Sequence, residues 1–261
     1  MDSVNKTLYI PLYGKSFESK KGIILKDTTA EAIGAAEGFA LKGKSASKWL
    51  AYYMGMRSAV FDRWVIEKME AMPDAVVLHL GCGMDSRSTR IGNRKHLWFD
   101  VDFPQVIEQR KRYYSETESY KMIGSDVRDN RWLTEVPGNT AIVVMEGISM
   151  YLKHKELKAV LQNLCAHFEK VHLLMDCYTT FAAKASKYKN PINDVGVTQV
   201  YGLDDPEELT GENFHFCKSY EITPQDLIDQ LQGMERIIFQ KLYAGKVADK
   251  MYRLYEFEGG R

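Results

Sequence analysis

Short apolar runs recur through the middle of the chain, and each ends in, or is followed by, a glycine or an acidic residue. Five such runs end at Leu80, Asp102, Gly124, Met145 and Asp176. Runs of this length are typical of strands buried on both faces of a parallel sheet. Helical spacing between them, over residues 104–114 and 156–168, predicts alternating strands and helices. The pattern therefore predicts an α/β fold, a doubly wound and mainly parallel sheet of about seven strands.

The longest helical pattern covers residues 45–72. Apolar residues recur on one face at intervals of three and four, at Trp49, Tyr53, Met56, Val60 and Trp64. Pro73 ends this pattern. Upstream, Asp27 is a suitable N-cap for a short helix that continues through Ala40. The remainder of residues 1–44 looks irregular.

Beyond residue 177 the pattern becomes irregular and aromatic as far as Tyr220. Such a segment is too apolar for a solvated linker, and it predicts an insertion that closes over an acceptor molecule. A helix is expected to follow, up to Leu231, and residues 237–243 and 251–257 predict the two strands of an antiparallel hairpin. We expect one domain with four parts: a helical cap (1–72), a cofactor-binding core (73–176), an acceptor lid (177–221) and a C-terminal helix and hairpin (222–261).

Composition narrows the classes of function. The chain has 261 residues, of which 45% are hydrophobic, so it can bury a full core. Its 35 basic and 35 acidic residues cancel, which argues against nucleic-acid partners and against an anionic membrane surface. No apolar run approaches the roughly 20 residues that cross a bilayer. The 4 cysteines form no C-x-x-C pair, so we expect reduced thiols, no metal and a cytoplasmic location. The oligomeric state stays open.

Two glycines interrupt the chain directly after the first predicted strand, in Gly81-Cys82-Gly83. Glycine lets the backbone turn sharply and lets its N–H groups approach a ligand that a Cβ would exclude. A helix that begins within residues 84–88 would point its positive N-terminal end at the same place. Asp102 lies about twenty residues further on, where a nucleoside-binding sheet binds the ribose hydroxyls. This stretch predicts half of a nucleoside-cofactor site.

The ends of the third and fourth predicted strands carry further acidic residues. Asp126 and Val127 follow the third strand, and Glu146 follows the fourth. Because ligands collect at the carboxyl ends of parallel strands, the three carboxylates would face a ribose, an adenine amino group and a position deeper in the cleft. Ser86 occupies the place of the third glycine of a dinucleotide fingerprint. The pattern favours a cofactor with an adenosine, a zwitterionic amino acid and a cationic centre over a pyrophosphate cofactor.

Four segments carry a resemblance to a known family: LGCGMDSR, WFDVDFPQVIEQRK, GSDVRDNRWL and VVMEGISMYL. In this order and spacing they resemble the leucine carboxyl methyltransferase family, and in particular its small-molecule branch, the polyketide O-methyltransferases. The likeness extends from PLYGKSFESKK to VTQVYGLDDPEEL. It implies a class I, Rossmann-like methyltransferase that uses S-adenosylmethionine (SAM) and methylates an oxygen of a small acceptor.

The resemblance also implies residues that bind the cofactor. In such enzymes an arginine in the long helix and a lysine before it clamp the SAM carboxylate. Here these would be Arg57 and either Lys20 or Lys21, and Arg87, one turn beyond the glycines, is a second candidate. Without the resemblance, Arg57 is typical of a solvated arginine whose stem covers apolar surface.

Other polar residues are interpreted as structural. The basic run at residues 109–112 predicts a solvated helix face without a role in nucleic-acid binding. His79, His167 and His172 lie in or beside predicted core elements, and we expect each to be a satisfied core histidine. Tyr151 is interpreted equally well as a core aromatic residue and as a wall of the pocket.

The reaction that the resemblance implies needs mainly correct placement of two reactants. No His–Asp pair or other base is recognisable in the motif loops, which favours a carboxylate acceptor, because a carboxylate with a pKa near about 4 is already ionised. Glu146 and Tyr151 are the residues predicted at the reacting end, and Glu146 would orient or balance the cationic methionine. Two other classes stay open: a SAM- or nucleoside-binding protein without catalysis and, more remotely, an NAD-linked dehydrogenase.

Overall fold

The computed structural model of the chain describes residues 9–38, 46–92, 95–189 and 199–261. The strands of these residues are β1 (Val76–Leu80), β2 (Trp98–Asp102), β3 (Tyr120–Gly124), β4 (Thr140–Met145), β5 (Lys170–Tyr178), β6 (Phe214–Tyr220) and β7 (Tyr252–Gly259). They form one sheet in the order β3-β2-β1-β4-β5-β7-β6. Strands β1 to β5 run parallel, whereas β7 lies antiparallel between β5 and β6. The predicted fold class is confirmed.

Helices cover both faces of the sheet. Those of the described residues are α1 (Tyr9–Lys21), α2 (Thr28–Glu37), α3 (Lys48–Ala71), α4 (Arg87–Arg90), α5 (Pro104–Arg110), α6 (His154–His167), α7 (Thr180–Lys189), α8 (Gln225–Ile228), α9 (Gly233–Leu242) and α10 (Lys246–Asp249). Short 3₁₀ helices follow β3, β4 and α7, at Asn130–Glu135, Ser149–Tyr151 and Pro206–Leu209. Among these residues no helix has the length and apolar character needed to cross a membrane.

The central strands are buried on both faces because neighbouring residues pack into different cores. In β1, Val77 belongs to the core beneath α3, together with Trp64, whereas Leu78 belongs to the core beneath α6, together with Leu161. All four side chains are at most 1% exposed. This explains why the apolar runs show no alternation in the sequence.

The N-terminal region is more ordered than its sequence suggests. Residues predicted to be irregular form α1, which packs along α3. The prediction was wrong because α1 contains Pro11 and Gly14 and has no clear apolar stripe, so packing rather than propensity holds it. A Cβ at Gly14 would lie 3.3 Å from the backbone of Ala51, so glycine lets the two helices approach closely. In α2 the predicted cap is confirmed: the Asp27 carboxylate accepts the Ala30 N–H at 2.8 Å.

The predicted C-terminal hairpin was wrong in one strand. Residues 237–243 lie mostly in α9, and β7 pairs instead with β6. The two isoleucines of this segment favour a strand locally, but the helix is fixed by Phe239, which is fully buried and meets the Tyr52 ring edge-on at 6.1 Å. The end of the predicted α2, at Ala40, lies outside the described residues.

Strand β6 also lies inside the segment that was predicted to be a lid. Phe214 and Phe216 do not cover a ligand, because both pack against Phe257 of β7. The signal was present in the sequence: apolar residues at 214 and 216 flank the polar His215, which is the period of a half-buried strand.

One buried acid between α1 and α3 is expected to reduce stability. Glu18 is fully buried, both of its carboxylate oxygens lack a partner, and the missing side chain of Gly55 makes room for it. Burial raises the pKa of Glu18 well above its usual range, against the weaker opposing effect of Lys15. The folded protein therefore holds this proton more tightly than the unfolded chain, so the cost of Glu18 grows as the pH rises above the unfolded value.

Replacing this acid with an apolar residue of similar length is expected to stabilise the fold. Glu18→Met should raise the free energy of unfolding by about 1–3 kcal/mol at neutral pH, the usual cost of an unsatisfied buried polar group. The gain should shrink as the pH falls through about 4, because Glu18 then becomes protonated in the unfolded chain as well. Urea titrations at several pH values measure both effects, with Glu67→Met, an exposed site on α3, as the control. A gain that did not depend on pH would contradict the assignment to an unpaired carboxyl.

Candidate active site

A cavity of about 570 Å³ opens at the carboxyl ends of β1 and β4. Four groups of elements enclose it: helices α1 and α3, the loops that follow β1 and β4, the end of β5 with α7, and the segment from the end of α9 to the start of β7. A cavity of this size suits a small organic molecule, since ligand pockets usually measure about 300–1,000 Å³. Residues from the ends of α9 and β7 were not predicted to contribute.

The glycine turn after β1 forms one wall of the cavity. Gly81 has a φ of 67°, and a Cβ there would lie 2.5 Å from the Ile148 side chain. The Gly83 N–H donates to the Asp102 carboxylate at 2.8 Å, and the Phe103 N–H donates to the same carboxylate at 2.7 Å. The predicted turn thus lies beside the predicted ribose carboxylate. Cys82, between the two glycines, is buried and also lines the cavity.

The three residues predicted to bind the nucleoside, Asp102, Asp126 and Val127, lie at or just after the carboxyl ends of β2 and β3. None of them lines the cavity. Asp102 ends β2 and is 8% exposed; burial raises the pKa of its carboxyl, although the Gly83 and Phe103 N–H groups act in the opposite direction. Asp126 follows β3, is partly exposed, and forms an ion pair with Arg128. Val127 is buried beside it. A bound adenosine would extend from the glycine turn towards β3 to reach these groups.

The lysine at the cavity is Lys15. It lies on α1, is 1% exposed, and forms a salt bridge with Asp85 of the loop after β1. Lys20 is exposed and does not line the cavity, and Lys21 donates to the Tyr52 hydroxyl at 2.6 Å. Lys15 follows Leu12 by one helical turn, so it was recognisable as inward-facing only if residues 9–21 had been predicted as a helix.

Arg57 lies in the floor of the cavity within a buried ion cluster. Its Nε donates to Glu146 at 3.1 Å and its Nη1 to Asp176 at 2.7 Å. The Ser58 hydroxyl donates to Glu146 at 2.8 Å, and the Gly147 N–H donates to Asp176 at 2.6 Å. Arg57 is only 3% exposed, so it is not the solvated arginine that its sequence alone suggested.

Glu146 is held in its ionised form. Burial by itself would raise the pKa of the carboxyl, but Arg87 and Arg57 outweigh burial and hold the pKa well below its usual range. Arg87 itself is fully buried behind Glu146, where its Nε donates to Asp62 at 2.7 Å and its Nη2 to Glu146. Glu146 lines the cavity, whereas Arg87 does not.

A similar balance fixes the charge of Asp85. Burial would raise the pKa of this carboxyl, but Lys15, Arg87 and Arg90 outweigh it and hold the pKa well below its usual range. The polar end of the cavity therefore presents two cations, Lys15 and Arg57, next to two carboxylates, Asp85 and Glu146.

The structure brings a histidine and an aspartate together in the strands, whereas the prediction concerned only the motif loops. His79 of β1 and Asp100 of β2 are register partners, and His79 Nδ1 lies 3.6 Å from Asp100. Their separation in sequence hid a contact that strand pairing creates. His79 Nε2 lies 3.3 Å from Arg87 Nη1, so the nitrogen opposite Asp100 already faces a donor. His79 lines the cavity, but its Nδ1 is buried without a hydrogen-bond partner among the described residues and its Nε2 faces Arg87, so we count it as a core histidine and not as a base.

The other end of the cavity is apolar and aromatic. Its rings include Tyr53 of α3, Tyr151 of the turn after β4, and Tyr178 and Tyr252, which pair across β5 and β7 with ring centroids 4.6 Å apart. Burial raises the pKa values of Tyr53 and Tyr252 well above their usual range. Both hydroxyls therefore stay protonated at any physiological pH. From the predicted lid, Tyr178, Ala185 and Ser186 line the cavity.

Comparisons with known proteins agree with this geometry. The sequence model of the leucine carboxyl methyltransferase family matches residues 12–165. The tetracenomycin polyketide synthesis O-methyltransferase of Streptomyces glaucescens is 32% identical, over 80% of this chain and 78% of that one. An S-adenosyl-L-methionine-dependent methyltransferase of Gibberella zeae is 26% identical, also over 80% and 78% of the two chains. Among solved structures, magnesium protoporphyrin IX methyltransferase of Synechocystis, with bound S-adenosylhomocysteine (SAH), shares the fold at a TM-score of 0.52 and 12% identity, covering 90% and 95% of the chains.

Proposed function

Because the chain belongs to the leucine carboxyl methyltransferase family, it is a SAM-dependent methyltransferase, and we propose that it methylates a carboxylate oxygen of a small, polyketide-like acceptor. We infer a carboxylate acceptor because no base is available among the described residues of the cavity. The aromatic end, which can enclose a flat apolar body, supports a small molecule as the acceptor.

The polar end of the cavity has the charges that a methionine group requires. We assign the cofactor carboxylate to Lys15 and Arg57, whose cationic nitrogens lie at the cavity, and its ammonium to the neighbouring carboxylates. The resemblance implied Lys20 or Lys21 for the first of these roles; burial and position favour Lys15. Arg87 would act indirectly, because it holds Glu146 in place.

The adenosine would lie along the edge formed by β1, β2 and β3. The Asp102 carboxylate is suited to accept the ribose hydroxyls, and Asp126, with the backbone at Val127, is suited to the adenine amino group. The glycine turn would lie beside the cofactor, because Gly81 and Gly83 both line the cavity and the Gly83 N–H donates to the Asp102 carboxylate.

When bound, SAM supplies a methyl group that is already activated by a sulfonium leaving group. The protein then has to hold the acceptor oxygen in line and exclude water, and such placement can contribute up to about 7–11 kcal/mol. Tyr151, Tyr178 and Tyr252 form the wall against which an acceptor would be placed. Glu146 would balance the cationic end of the cofactor, as an ionised group that is fixed by two arginines.

None of the described ionisable groups in the cavity is poised to remove a proton from a phenol. Tyr53 and Tyr252 stay protonated, and the His79 nitrogen opposite Asp100 faces Arg87. Glu146 has a pKa far below that of a phenol, which is near about 10. A carboxylate needs no such help, since it is ionised above about pH 5.

The pH dependence of the chemical step tests the acceptor class. With a carboxylate acceptor, the single-turnover rate should stay nearly constant between about pH 6 and about pH 9. A phenol without a base would instead react about tenfold faster per pH unit over that range. Rapid-quench measurements with methyl-labelled SAM give this rate free of product release. A unit slope would overturn the proposal.

The acceptor can be sought with pairs of aromatic carboxylic acids and the corresponding phenols. A methyl ester releases labelled methanol in mild base, whereas a methyl ether keeps its label, so the product itself reports which oxygen was methylated. Label that stays in the product in mild base would exclude a carboxylate acceptor, although it would still show that the protein transfers a methyl group. SAM binding without any labelled product across the panel would favour a binding protein.

A further inference from the structure

The outer end of the sheet carries a cluster of metal-ligand side chains that is separate from the cavity. His215 and Cys217 lie on the edge strand β6, and Glu258 lies opposite His215 on β7. The imidazole, thiol and carboxylate donor atoms all lie within 4.8 Å of one another. None of the three residues lines the cavity.

A β-bulge lies at the cysteine of this group. Phe216 pairs with Phe257 and Lys218 pairs with Glu256, so Cys217 is the extra residue of β6. Bulges re-aim side chains next to functional sites, and their inserted residue has no partner in the ladder. Cys217 is also the exposed cysteine of the chain, whereas the other three are buried.

A fourth residue fixes the carboxylate. His172 of β5 is the register partner of Glu258, and its Nδ1 lies 2.9 Å from Glu258 Oε1. His172, Glu258 and His215 thus form a row across three neighbouring strands. A group that hydrogen-bonds to a metal-binding side chain in this way orients that side chain and tunes its basicity. Lys68 approaches the same oxygen at 3.5 Å and is the competing cation.

We propose that His215, Cys217 and Glu258 bind a divalent ion of the zinc class, with His172 as the residue that positions Glu258. A mixed nitrogen, sulfur and oxygen set suits Zn²⁺ or Co²⁺ and does not suit Mg²⁺ or Ca²⁺, which prefer oxygen. Ligand atoms on a tetrahedral zinc lie about 3.5 Å apart, as follows from its bond lengths of about 2.0–2.3 Å. Side-chain movements of about 1 Å would therefore close the site.

The site would connect the edge strand to its neighbour. In the described sheet β6 pairs only with β7, and an ion held by both strands would add a link between them. Two anionic ligands, the thiolate and the carboxylate, would neutralise the ion, and a water molecule would complete the coordination. The sequence predicted no metal because its cysteines form no C-x-x-C pair, whereas this set of ligands needs the pairing of β6 with β7.

Cobalt is the most direct probe, because its bond to a thiolate absorbs light and its visible spectrum reports geometry. Tag-free full-length protein, reduced and stripped of metal, should bind one Co²⁺ per chain, with a thiolate charge-transfer band that Zn²⁺ abolishes. Cys217→Ser should remove the band. His215→Ala and Glu258→Gln should each weaken binding at least about tenfold, as expected when a ligand is lost. His154→Ala, an exposed histidine outside the cluster, is the matched control and should bind as wild type does.

Other outcomes would overturn the proposal. These are the lack of a charge-transfer band in wild type, a band that persists in Cys217→Ser, or equal losses in His154→Ala and His215→Ala. SAM affinity is measured for every variant, and it should stay unchanged, which separates loss of the metal site from loss of the fold. Zn²⁺ should also raise the melting temperature of wild type and not of Cys217→Ser.

Discussion

Arg110→Met is expected to lower the free energy of unfolding by about 3–5 kcal/mol, the usual result of removing one partner of a buried ion pair. Arg110 and Asp100 are both fully buried, and Arg110 donates to the Asp100 carboxylate and, at 3.0 Å, to the Gly83 carbonyl. The variant would leave Asp100 with two hydrogen-bond donors, the Trp98 indole N–H at 2.8 Å and the Tyr120 hydroxyl at 2.5 Å. Urea unfolding measures the loss.

The pH dependence of this loss identifies its cause. Burial alone would raise the pKa of Asp100, but Arg110 and His79 hold it at about 2 in the wild type. Without Arg110 the effect of burial dominates, so the folded pKa should rise above that of the unfolded chain. The deficit of the variant should then be largest at neutral pH and should shrink as acid protonates Asp100.

The chain offers a matched control two residues away. Arg112 is exposed and forms a surface ion pair with Glu37 at 3.2 Å, so Arg112→Met should cost no more than about 1 kcal/mol. The double variant Arg110→Met/Asp100→Leu should recover much of the loss, because an apolar pair replaces the buried ion pair. Equal effects at 110 and 112 would mean that Arg110 is as solvated as its neighbours.

The second large effect concerns the cofactor. Lys15→Met should weaken SAH binding by about 10- to 150-fold, because a charge-assisted hydrogen bond contributes about 1.5–3 kcal/mol. 5′-Methylthioadenosine lacks the amino-acid end of the cofactor, and its affinity should hardly change. Calorimetry with both ligands measures the difference.

Lys20→Met is the control for this experiment. Lys20 lies on the same helix but is exposed and outside the cavity, so its loss should leave both affinities unchanged. A loss of SAH affinity in Lys20→Met and not in Lys15→Met would reverse the assignment. Equal losses of both ligands in Lys15→Met would show that Lys15, through its salt bridge with Asp85, supports the loop and does not contact the methionine end.

Arg110 and Lys15 show which features of the fold and the site could be predicted from the sequence and which could not. The strands, the glycine turn and the acidic strand ends follow from local patterns of two to eight residues, and the fold follows from their order. Arg110 lies in a run of four polar residues. It points inwards only because the short helix α5 packs against β2 and β3. Its burial was therefore invisible to the charge pattern.

Lys15 and the contact between His79 and Asp100 were missed for a related reason. Lys15 becomes an inward-facing residue only because α1 forms on contact with α3, and that contact joins residues far apart in the chain. His79 meets Asp100 only through the register of β1 and β2. Tertiary packing created both features, and a single sequence carries no local trace of such pairing.

The position of β7 has a consequence for synthesis on the ribosome. Strands emerge in chain order, so β6 leaves the exit tunnel before the strand that will separate it from β5. Until residues 252–259 emerge, one edge of β5 stays unpaired, and the strand with which β6 pairs in the folded protein is not yet present. An unpaired edge of this kind is a site for wrong pairing with other nascent chains. Met251 and Tyr252 also line the cavity, so the insertion of β7 completes both the sheet and the cavity. A nascent chain that stalled before residue 251 would therefore lack the complete sheet and the complete cavity.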